Sequence, residues 1–319
     1  MGHLMIRFLK NLIKNYREEI PSPLYIIAAA VWSLSEPFLP KLVRDTPSSR
    51  KLSAEYYYSL WLQHLNKIHN SGFQFPSTIA ELGPGHSIGV GLSALLSGAR
   101  RYFALDVVKH FDEKKEIEIL RELIKLFRER PKGKELDFPH EILKDDLNTN
   151  IKNTRISAIE DAILNGETRE VKIKQFIPWN SPEVIKENSV DMIISSFVLE
   201  HVEDLESTYK SMHRWLRNGG IMSNIIDFGS HGTSKEWNGH WGYSDAIWKL
   251  IRGNRKYLIN RKPLTSHLKL LHKFNFDIIE VDIEKEESGI GRKQLSSRFK
   301  GMTNIDLKSK SAQIIAKKR

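Results

Sequence analysis

The stretch Glu81-Leu-Gly-Pro-Gly-His-Ser-Ile-Gly89 follows the apolar run Thr78-Ile-Ala80 and precedes the apolar segment from Val90 to Leu96. Two apolar runs separated by a glycine-rich turn are typical of a strand, a loop and a helix. Gly83 and Gly85 have no Cβ, so the backbone can turn sharply there and approach a ligand closely. The stretch therefore predicts a ligand-binding turn between a strand and a helix.

A carboxylate follows this turn at a distance that suits a ribose hydroxyl. Arg101 to Asp106 is predicted as the second strand, and Asp106 stands 21 residues after Gly85. Glycines between a strand and a helix, with an acid about 20 residues further on, indicate a nucleoside-bearing cofactor. Glu81 favours S-adenosylmethionine over a dinucleotide, because that cofactor has no phosphate and carries a positive sulfonium.

Two later segments make the pattern more specific. Asn188 to Val202, with the sequence NSVDMIISSFVLEHV, is predicted as a buried strand that runs into a polar loop, and Arg217-Asn-Gly-Gly220 precedes another strand. With these motifs, the stretch from Glu81 to Phe228 resembles the class I S-adenosylmethionine-dependent methyltransferases. Asn218 stands where that family usually has proline, which is a small departure.

The resemblance implies an α/β fold built on a Rossmann-like doubly wound sheet of about seven strands, whose last hairpin places one strand antiparallel. It also implies a set of residues that contact S-adenosylmethionine: Glu81, Gly83, Gly85, His86, Asp106, Trp179 and Ser196. For Trp179, which would flank the adenine, core packing is the alternative role. Asn180 is predicted either as an amide partner of the adenine or as a turn residue.

Composition indicates a globular protein and leaves its partner open. The chain has 319 residues, of which 40% are hydrophobic and 28% charged, so it can bury a substantial core. It has no cysteine, which excludes disulfides and thiolate chemistry. The net charge of +10 favours anionic partners such as membrane surfaces, nucleic acid or phosphorylated sugars, but the charge is spread along the chain.

Residues 1–52 are predicted to form a helical extension. Ile6 to Arg17 alternates apolar and basic residues at helical spacing, and Pro21 ends this helix. The apolar run from Leu24 to Leu34 is too short to span a bilayer and lacks the context of a signal peptide. The extension is expected to pack on the core, with interfacial membrane attachment as the alternative. A cytoplasmic protein, with or without peripheral membrane contact, is predicted.

Residues 53–319 are predicted to form the methyltransferase domain, with an insertion at about 107–170 and acceptor-site loops at about 228–265 and 288–310. A helix is expected from Ser53 to Asn70, and the insertion is predicted to hold two helices, at about 112–128 and 157–165. Asp145-Asp146 in the insertion is interpreted as a capping or exposed pair rather than a metal site. Later strands are predicted at 171–176, 190–195, 221–228, 276–283 and 312–317.

Glu200-His201 raises the question of a metal ion. Ubiquinone-pathway and small-RNA methyltransferases carry Glu-x-x-Glu-His at this point and are thought to hold a divalent metal with it, but Phe197 occupies the first of these positions here. Because a hard oxygen ligand is lost, no metal site is predicted. His201 is interpreted either as a general base for an acceptor hydroxyl or as a loop residue fixed by hydrogen bonds.

The segment from Asp227 to Ser244 is dense in polar and aromatic residues and leaves the end of a predicted strand, where open α/β folds bind ligands. Asp227, His231 and His240 join His201 as predicted catalytic residues, Tyr243 is a further candidate to orient a hydroxyl, and Trp237 and Trp241 are candidates to stack on a sugar. The alternative is an ordered lid whose groups satisfy one another. The basic residues in 260–267 would grip an anionic acceptor, or Thr265 or Ser266 simply helps to start the helix that follows. The segment 289–310 is predicted as a second lid or as a solvated basic loop.

The predicted function is transfer of a methyl group from S-adenosylmethionine to a small-molecule, sugar or lipid-linked acceptor, on oxygen. An RNA methyltransferase is the alternative that the charge suggests, although no RNA-binding module is evident. From other classes, an NAD(P)-dependent oxidoreductase and a catalytically silent cofactor-binding protein remain as alternatives.

Overall fold

The computed structural model describes residue 27 and residues 53–129, 151–179 and 181–319. Several predicted features lie outside these residues: the basic helix from Ile6 to Arg17, the run from Leu24 to Leu34, the Asp145-Asp146 pair and Asn180. The boundary between an extension and a catalytic domain at residue 52 therefore stays a prediction. Within the described ranges, no helix is both long and apolar enough to cross a bilayer.

Seven strands form one sheet. They are β1 (Thr78–Leu82), β2 (Arg101–Leu105), β3 (Lys172–Phe176), β4 (Val190–Ser196), β5 (Leu216–Asp227), β6 (Phe276–Lys285) and β7 (Ser309–Lys318). Their order across the sheet is β3-β2-β1-β4-β5-β7-β6. Neighbours from β3 to β5 are parallel, whereas β7 runs antiparallel to both β5 and β6. The predicted doubly wound sheet with one antiparallel strand is confirmed.

Helices cover both faces of this sheet. They are α1 (Ala54–Asn70), α2 (Gly89–Leu96), α3 (Glu113–Glu129), α4 (Asn153–Asn165), α5 (Leu205–Trp215), α6 (Asp245–Arg252), α7 (Leu264–Lys273) and α8 (Asn304–Lys308). Side chains alternate between the faces along each strand. Ile79 and Met192 therefore join the core formed with α1 to α4, while Ala80 and Ile193 join the core formed with α5 and α7.

Strand β5 begins earlier than predicted. The segment Arg217 to Gly220, expected as a turn ahead of the strand, lies within β5, where the register with β4 shifts between Val190 and Met192. Gly219 has a φ of 72°, a backbone conformation that residues with a side chain rarely adopt. The predicted bend at this glycine is therefore present, but it lies inside an irregular part of β5 instead of before the strand. Helix α4 likewise begins at Asn153, one turn before the predicted start.

The order of strands determines where a ligand can bind. The chain places β2 and β3 on one side of β1 and then places β4 and β5 on the other side, so the direction of the sheet's growth reverses between the neighbours β1 and β4. In open α/β sheets such a reversal opens a crevice outside the carboxyl ends of the strands. The glycine turn after β1, Asp106 after β2 and the polar segment after β4 all meet at this edge.

Candidate active site

A cavity of about 920 Å³ lies at the carboxyl edge of β1, β2 and β4. Its apolar walls are Leu82, Leu105, Val107, Val108, Trp179, Phe197, Val198, Val202 and Tyr257. Its polar and glycine lining is Gly83, Gly85, His86, Asp106, His110, His201, Glu203 and Lys256. Clefts of about 300–1,000 Å³ with apolar walls and a few polar groups are typical small-molecule sites.

The glycine turn forms the floor of the cavity and needs its glycines. Gly83 and Gly85 have φ values of 63° and 68°, in the left-handed region that favours glycine. A Cβ on Gly83 would lie 2.5 Å from Cγ2 of Val198, whereas at Gly85 the nearest atom would be the carbonyl oxygen of Gly83 at 4.0 Å. The Gly83 N–H donates to the Leu105 carbonyl at 2.8 Å and ties the turn to β2. The turn is thus a cradle that a side chain would fill.

Asp106 faces the cavity and also holds the turn in place. Its Oδ2 accepts a hydrogen bond from the Gly85 N–H at 3.1 Å, and its Oδ1 accepts from the Val107 and Val108 N–H groups at 2.6 and 3.1 Å. An ionised carboxylate offers about four acceptor positions, so one remains for a ribose hydroxyl. The geometry is compatible with the predicted role of Asp106 in binding the cofactor.

Glu81 lies beneath the turn instead of in the cavity. It is buried and accepts a hydrogen bond from the Tyr102 hydroxyl at 2.5 Å, and burial raises its pKa to about 8. Glu116 of α3 lies in the same region, accepts from the Ser87 hydroxyl at 2.6 Å and the Ile88 N–H at 3.2 Å, and has its pKa raised by burial to about 7. Glu116 therefore supports the turn directly, whereas Glu81 is tied to Tyr102 of β2, and no local sequence pattern identifies Glu116.

The other predicted cofactor residues divide between the cavity and the core. His86 lines the cavity, with its ring stacked on His110 at 4.9 Å between centroids. Trp179 lines the cavity and also packs edge-on against Trp215 at 5.5 Å, so both of its predicted roles are combined. The Ser196 hydroxyl pairs with Nε2 of the buried His64 at 2.9 Å and is outside the cavity lining, so a direct cofactor contact by Ser196 has no support in this geometry.

A short 3₁₀ turn, Leu199–His201, follows β4 and presents Glu200 and His201. The Asn260 side-chain amide donates to the carbonyls of Leu199 and Val202, at 2.8 Å each, and the Asn260 N–H donates to the Glu200 carbonyl at 2.6 Å. One asparagine from a distant segment thus holds the whole turn. The sequence pattern identifies Asn260 only as part of a basic stretch.

Glu200 is a buried carboxyl without a cationic partner. Its side chain is 3% exposed, and neither Oε1 nor Oε2 has a partner in hydrogen-bond geometry. Burial raises its pKa to about 8, an effect that the nearby Asp227 charge increases and that the backbone N–H groups of Glu200 and Asp227 offset only in part. Among the described residues, no lysine or arginine forms an ion pair with it.

His201 connects the cavity to the segment after β5. Its Nδ1 is buried without a hydrogen-bond partner, while the ring makes a hydrogen bond with the Tyr257 backbone. Burial, followed by the proximity of His231, lowers the pKa of His201 to about 4, so the imidazole is neutral at pH 7. The His231 ring lies edge-on at 5.0 Å between centroids, and its Nε2 lies 3.1 Å from Oδ2 of Asp227.

His240 and Trp241 lie deeper than predicted. His240 is 1% exposed, and burial lowers its pKa to about 3. The Trp241 side chain is fully buried and donates its Nε1–H to the Arg261 carbonyl at 3.1 Å, so it cannot stack on a sugar in this arrangement. His240 lies outside the cavity lining, and its predicted catalytic role has no contact with the cavity to support it.

The two predicted acceptor loops pack on each other. The Trp237 Nε1–H donates to the Ser288 carbonyl at 2.6 Å, and the Asn238 amide exchanges hydrogen bonds with the Ile290 backbone at 2.7 and 3.2 Å. Arg261 is buried and donates to the carbonyls of His240 and Tyr243 at 3.1 and 2.9 Å. Much of the polar segment after β5 is therefore an ordered lid whose groups satisfy one another, while Asp227 and His231 reach His201.

The basic stretch 260–267 borders a separate cleft. This cleft of about 390 Å³ is lined by Lys262, Lys269, Arg298 and Asp306, among others. The predicted helix-starting role of Thr265 is wrong: Pro263 is the N-cap residue and makes no side-chain cap, while the Thr265 hydroxyl donates to Asp306 at 2.8 Å.

Comparison with known proteins gives the following matches. The family model described as "Methyltransferase domain" matches residues 157–223. A SAM-dependent methyltransferase from Methanosarcina mazei is 15% identical, with 79% of this chain and 96% of that chain covered and a TM-score of 0.44. Phosphoethanolamine N-methyltransferase 2 from Haemonchus contortus, in complex with S-adenosyl-L-methionine, is 14% identical, with 86% and 59% covered and a TM-score of 0.42. Among curated proteins none matches the sequence.

The strand order, the glycine cradle at the switch point and the methyltransferase-domain match together define an S-adenosylmethionine-dependent methyltransferase of the class I fold. The cavity fits this cofactor for three reasons. Gly83 and Gly85 leave room for a ligand, Asp106 has a free acceptor position for a ribose hydroxyl, and the walls are apolar. The predicted fold, enzyme class and cofactor are confirmed.

Proposed function

We propose that this enzyme methylates a hydroxyl oxygen on a small-molecule, sugar or lipid-linked acceptor that enters the cavity beside His201. The observation that carries the proposal is the neutral His201 ring, which lines the cavity with an unpartnered Nδ1 and lies next to the His231–Asp227 pair. Imidazoles at the end of a cavity can orient an acceptor hydroxyl and accept its proton.

Methyl transfer to a hydroxyl requires that His201, His231 and Asp227 position the acceptor and remove its proton. S-adenosylmethionine supplies an electrophilic methyl group on a sulfonium. When the C–O bond forms, the S–CH₃ bond breaks, the sulfonium becomes a thioether and the hydroxyl proton must leave. His231 and Asp227 are within hydrogen-bond distance of each other, so the carboxylate orients the ring and stabilises its protonated form.

The walls of the cavity support an acceptor with an apolar part. Val107, Val108, Phe197 and Tyr257 line it and are 41% to 47% exposed, which is unusual for large apolar side chains unless a ligand covers them. Lys256 is the lysine among the lining residues and would meet an anionic group at the rim. This mixture favours an amphipathic acceptor over RNA, which needs an extended basic surface.

The test is to incubate the protein with methyl-labelled cofactor and an extract of its host, then to separate lipid, polysaccharide, small-molecule, RNA and protein fractions. Label is expected as an ether in the lipid, polysaccharide or small-molecule fraction. Label confined to RNA or protein would refute the proposal, and no label in a single-turnover reaction would indicate a silent binding protein. His201→Asn and His231→Asn should each lower the rate at least 10-fold, whereas His272→Asn, at an exposed position of α7, should not.

A further inference from the structure

We propose that Glu200, His201 and His231 form a binding site for a divalent first-row transition-metal ion. One potential ligand atom from each of these side chains lies within 4.8 Å of the others. The sequence pattern alone predicts no metal site, because Phe197 stands where a carboxylate ligand would be needed. His231 comes from the segment after β5, so the sequence motif alone does not include it.

The carboxyl group of Glu200 is the strongest evidence for a bound cation. A buried carboxyl stays ionised only when hydrogen bonds or a positive charge compensate for the lost water, and otherwise it takes up a proton. Glu200 has no ion pair with the described lysines and arginines, and its two oxygens have no partner in strict hydrogen-bond geometry. The backbone N–H groups of Glu200 and Asp227 compensate only in part, and the Asp227 carboxylate nearby adds negative charge. A cation among the three side chains would compensate for both carboxylates at once.

The two imidazoles have the state and the support that metal ligands need. A histidine ligand is neutral and usually donates its other N–H to a carbonyl or carboxylate, which fixes the ring. Nδ1 of His201 is buried without a hydrogen-bond partner, and a neutral ring with its proton on Nε2 would present a lone pair at that atom. His231 shows the matching arrangement, since its Nε2 is already engaged by Asp227.

The ligand types select the class of ion. Two imidazoles and one carboxylate suit Mn²⁺, Fe²⁺, Co²⁺ or Zn²⁺, whereas Mg²⁺ prefers oxygen ligands and retains its water. Three protein ligands also leave positions open on the ion. His201 lines the cavity, so an ion bound to it would lie at the cavity wall, where an acceptor oxygen could reach it.

This inference deepens the proposed function, on which its catalytic part rests. A hydroxyl bound to the ion loses its proton more readily because the cation stabilises the alkoxide. Glu200, His201 and His231 would hold the ion as a Lewis acid, the hydroxyl proton would pass to solvent, and the acceptor oxygen would take the methyl group as the S–CH₃ bond breaks. Binding of the ion does not depend on the identity of the acceptor.

The test measures binding directly, on the whole protein freed of metal with a chelator. Co²⁺ absorption spectroscopy and Mn²⁺ titration by electron paramagnetic resonance should show one site, and Mg²⁺ should bind at least 10-fold more weakly than Mn²⁺. Glu200→Gln should weaken Mn²⁺ binding at least 10-fold, and Asp227→Asn, which removes the support of His231, by about 10- to 100-fold. Glu206→Gln is the control, because Glu206 is exposed, pairs with Lys273 and lies outside the cavity lining.

The outcomes separate this inference from the proposed function. The metal proposal would be overturned if neither Co²⁺ nor Mn²⁺ bound. It would also be overturned if wild type and Glu200→Gln bound Mn²⁺ equally while both proteins showed the melting transition of a folded protein. If the chelated enzyme still methylates a hydroxyl at full rate, the ion has no catalytic role and an imidazole acts as the base. If Co²⁺ binds as expected but no hydroxyl is methylated, the site stands and the proposed acceptor chemistry fails.

Discussion

Replacing Gly83 by alanine tests whether a side chain at this position is excluded by the backbone conformation and by Val198. Two costs can be separated. The left-handed φ of 63° costs an alanine about 1–2 kcal/mol, and its Cβ would lie 2.5 Å from Cγ2 of Val198, an overpacked contact worth about 1–3 kcal/mol. The sum of about 2–5 kcal/mol should appear as lost stability, or as weaker cofactor binding if the turn shifts to relieve the contact.

Gly72→Ala is the matched control, because Gly72 has a φ of 79° with no atom within 4 Å of an added Cβ. It should show the conformational cost alone, about 1–2 kcal/mol in urea unfolding, with unchanged binding. In Gly83→Ala/Val198→Ala the removed methyl groups should relieve the contact. A double-mutant cycle should then show about 1–3 kcal/mol of favourable coupling between the two sites.

The measurements are urea unfolding for stability and calorimetric titration with S-adenosylmethionine for affinity. About 1.4 kcal/mol of the penalty, if transferred to binding, weakens the affinity 10-fold. A Gly83→Ala protein that is as stable as Gly72→Ala and binds the cofactor normally would refute the steric reasoning. Absence of coupling with Val198→Ala would show that the penalty arises elsewhere in the turn.

Two further predictions concern the buried groups around the site. Thermal stability should be highest near pH 6.5. The pKa values of Glu81 and Glu116 are raised from 4.5 to about 8 and 7, so the folded protein loses stability as pH rises from 4.5 through those values. The pKa values of His64, His240 and His267 are lowered from 6.5 to about 3, so the folded protein also loses stability as pH falls below 6.5. Glu116 contributes a loss of stability between pH 4.5 and 7, so Glu116→Gln should gain stability more steeply with pH over that range in calorimetric melts, and an unchanged slope would contradict the assignment. Asn260→Ala should lower the methyl-transfer rate at least 10-fold while cofactor affinity is retained, because the residue holds the 3₁₀ turn without lining the cavity; loss of both in titration and rate assays would show a general loss of structure.

The fold could be predicted because its signals are local. The glycine turn, the apolar runs of β1 and β4 and the helix that begins after Ser53 each depend on a few neighbouring residues. Predicted and observed strand bounds agree within a few residues except at β5, where the irregular register with β4 extends the strand towards its amino end. Register shifts depend on the partner strand, which a single segment does not specify.

The site could be predicted only where chain neighbours determine it. Asp106 and the glycines follow directly from the strand ends. The side chain of Glu81 points to Tyr102, a direction that depends on which face of β1 is buried against which helix. Asn260 and Glu200 are 60 residues apart, and their contact depends on how the segment 253–263 returns to the site. Tertiary contacts of this kind have no signature in local sequence patterns.

The residues that approach the reacting centre are held in conformations that local preference does not favour. Phe197 and His231 both have positive φ, at 59° and 46°, and both flank His201 in the site. Non-glycine residues persist in this region only when the surroundings over-determine them. Here the surroundings are the Asn260 bonds to the 3₁₀ turn and the Asp227 bond to His231. A site so fixed has little freedom to reorganise, so a catalytic ion or base at this point would act through pre-set positions rather than through closure of a lid.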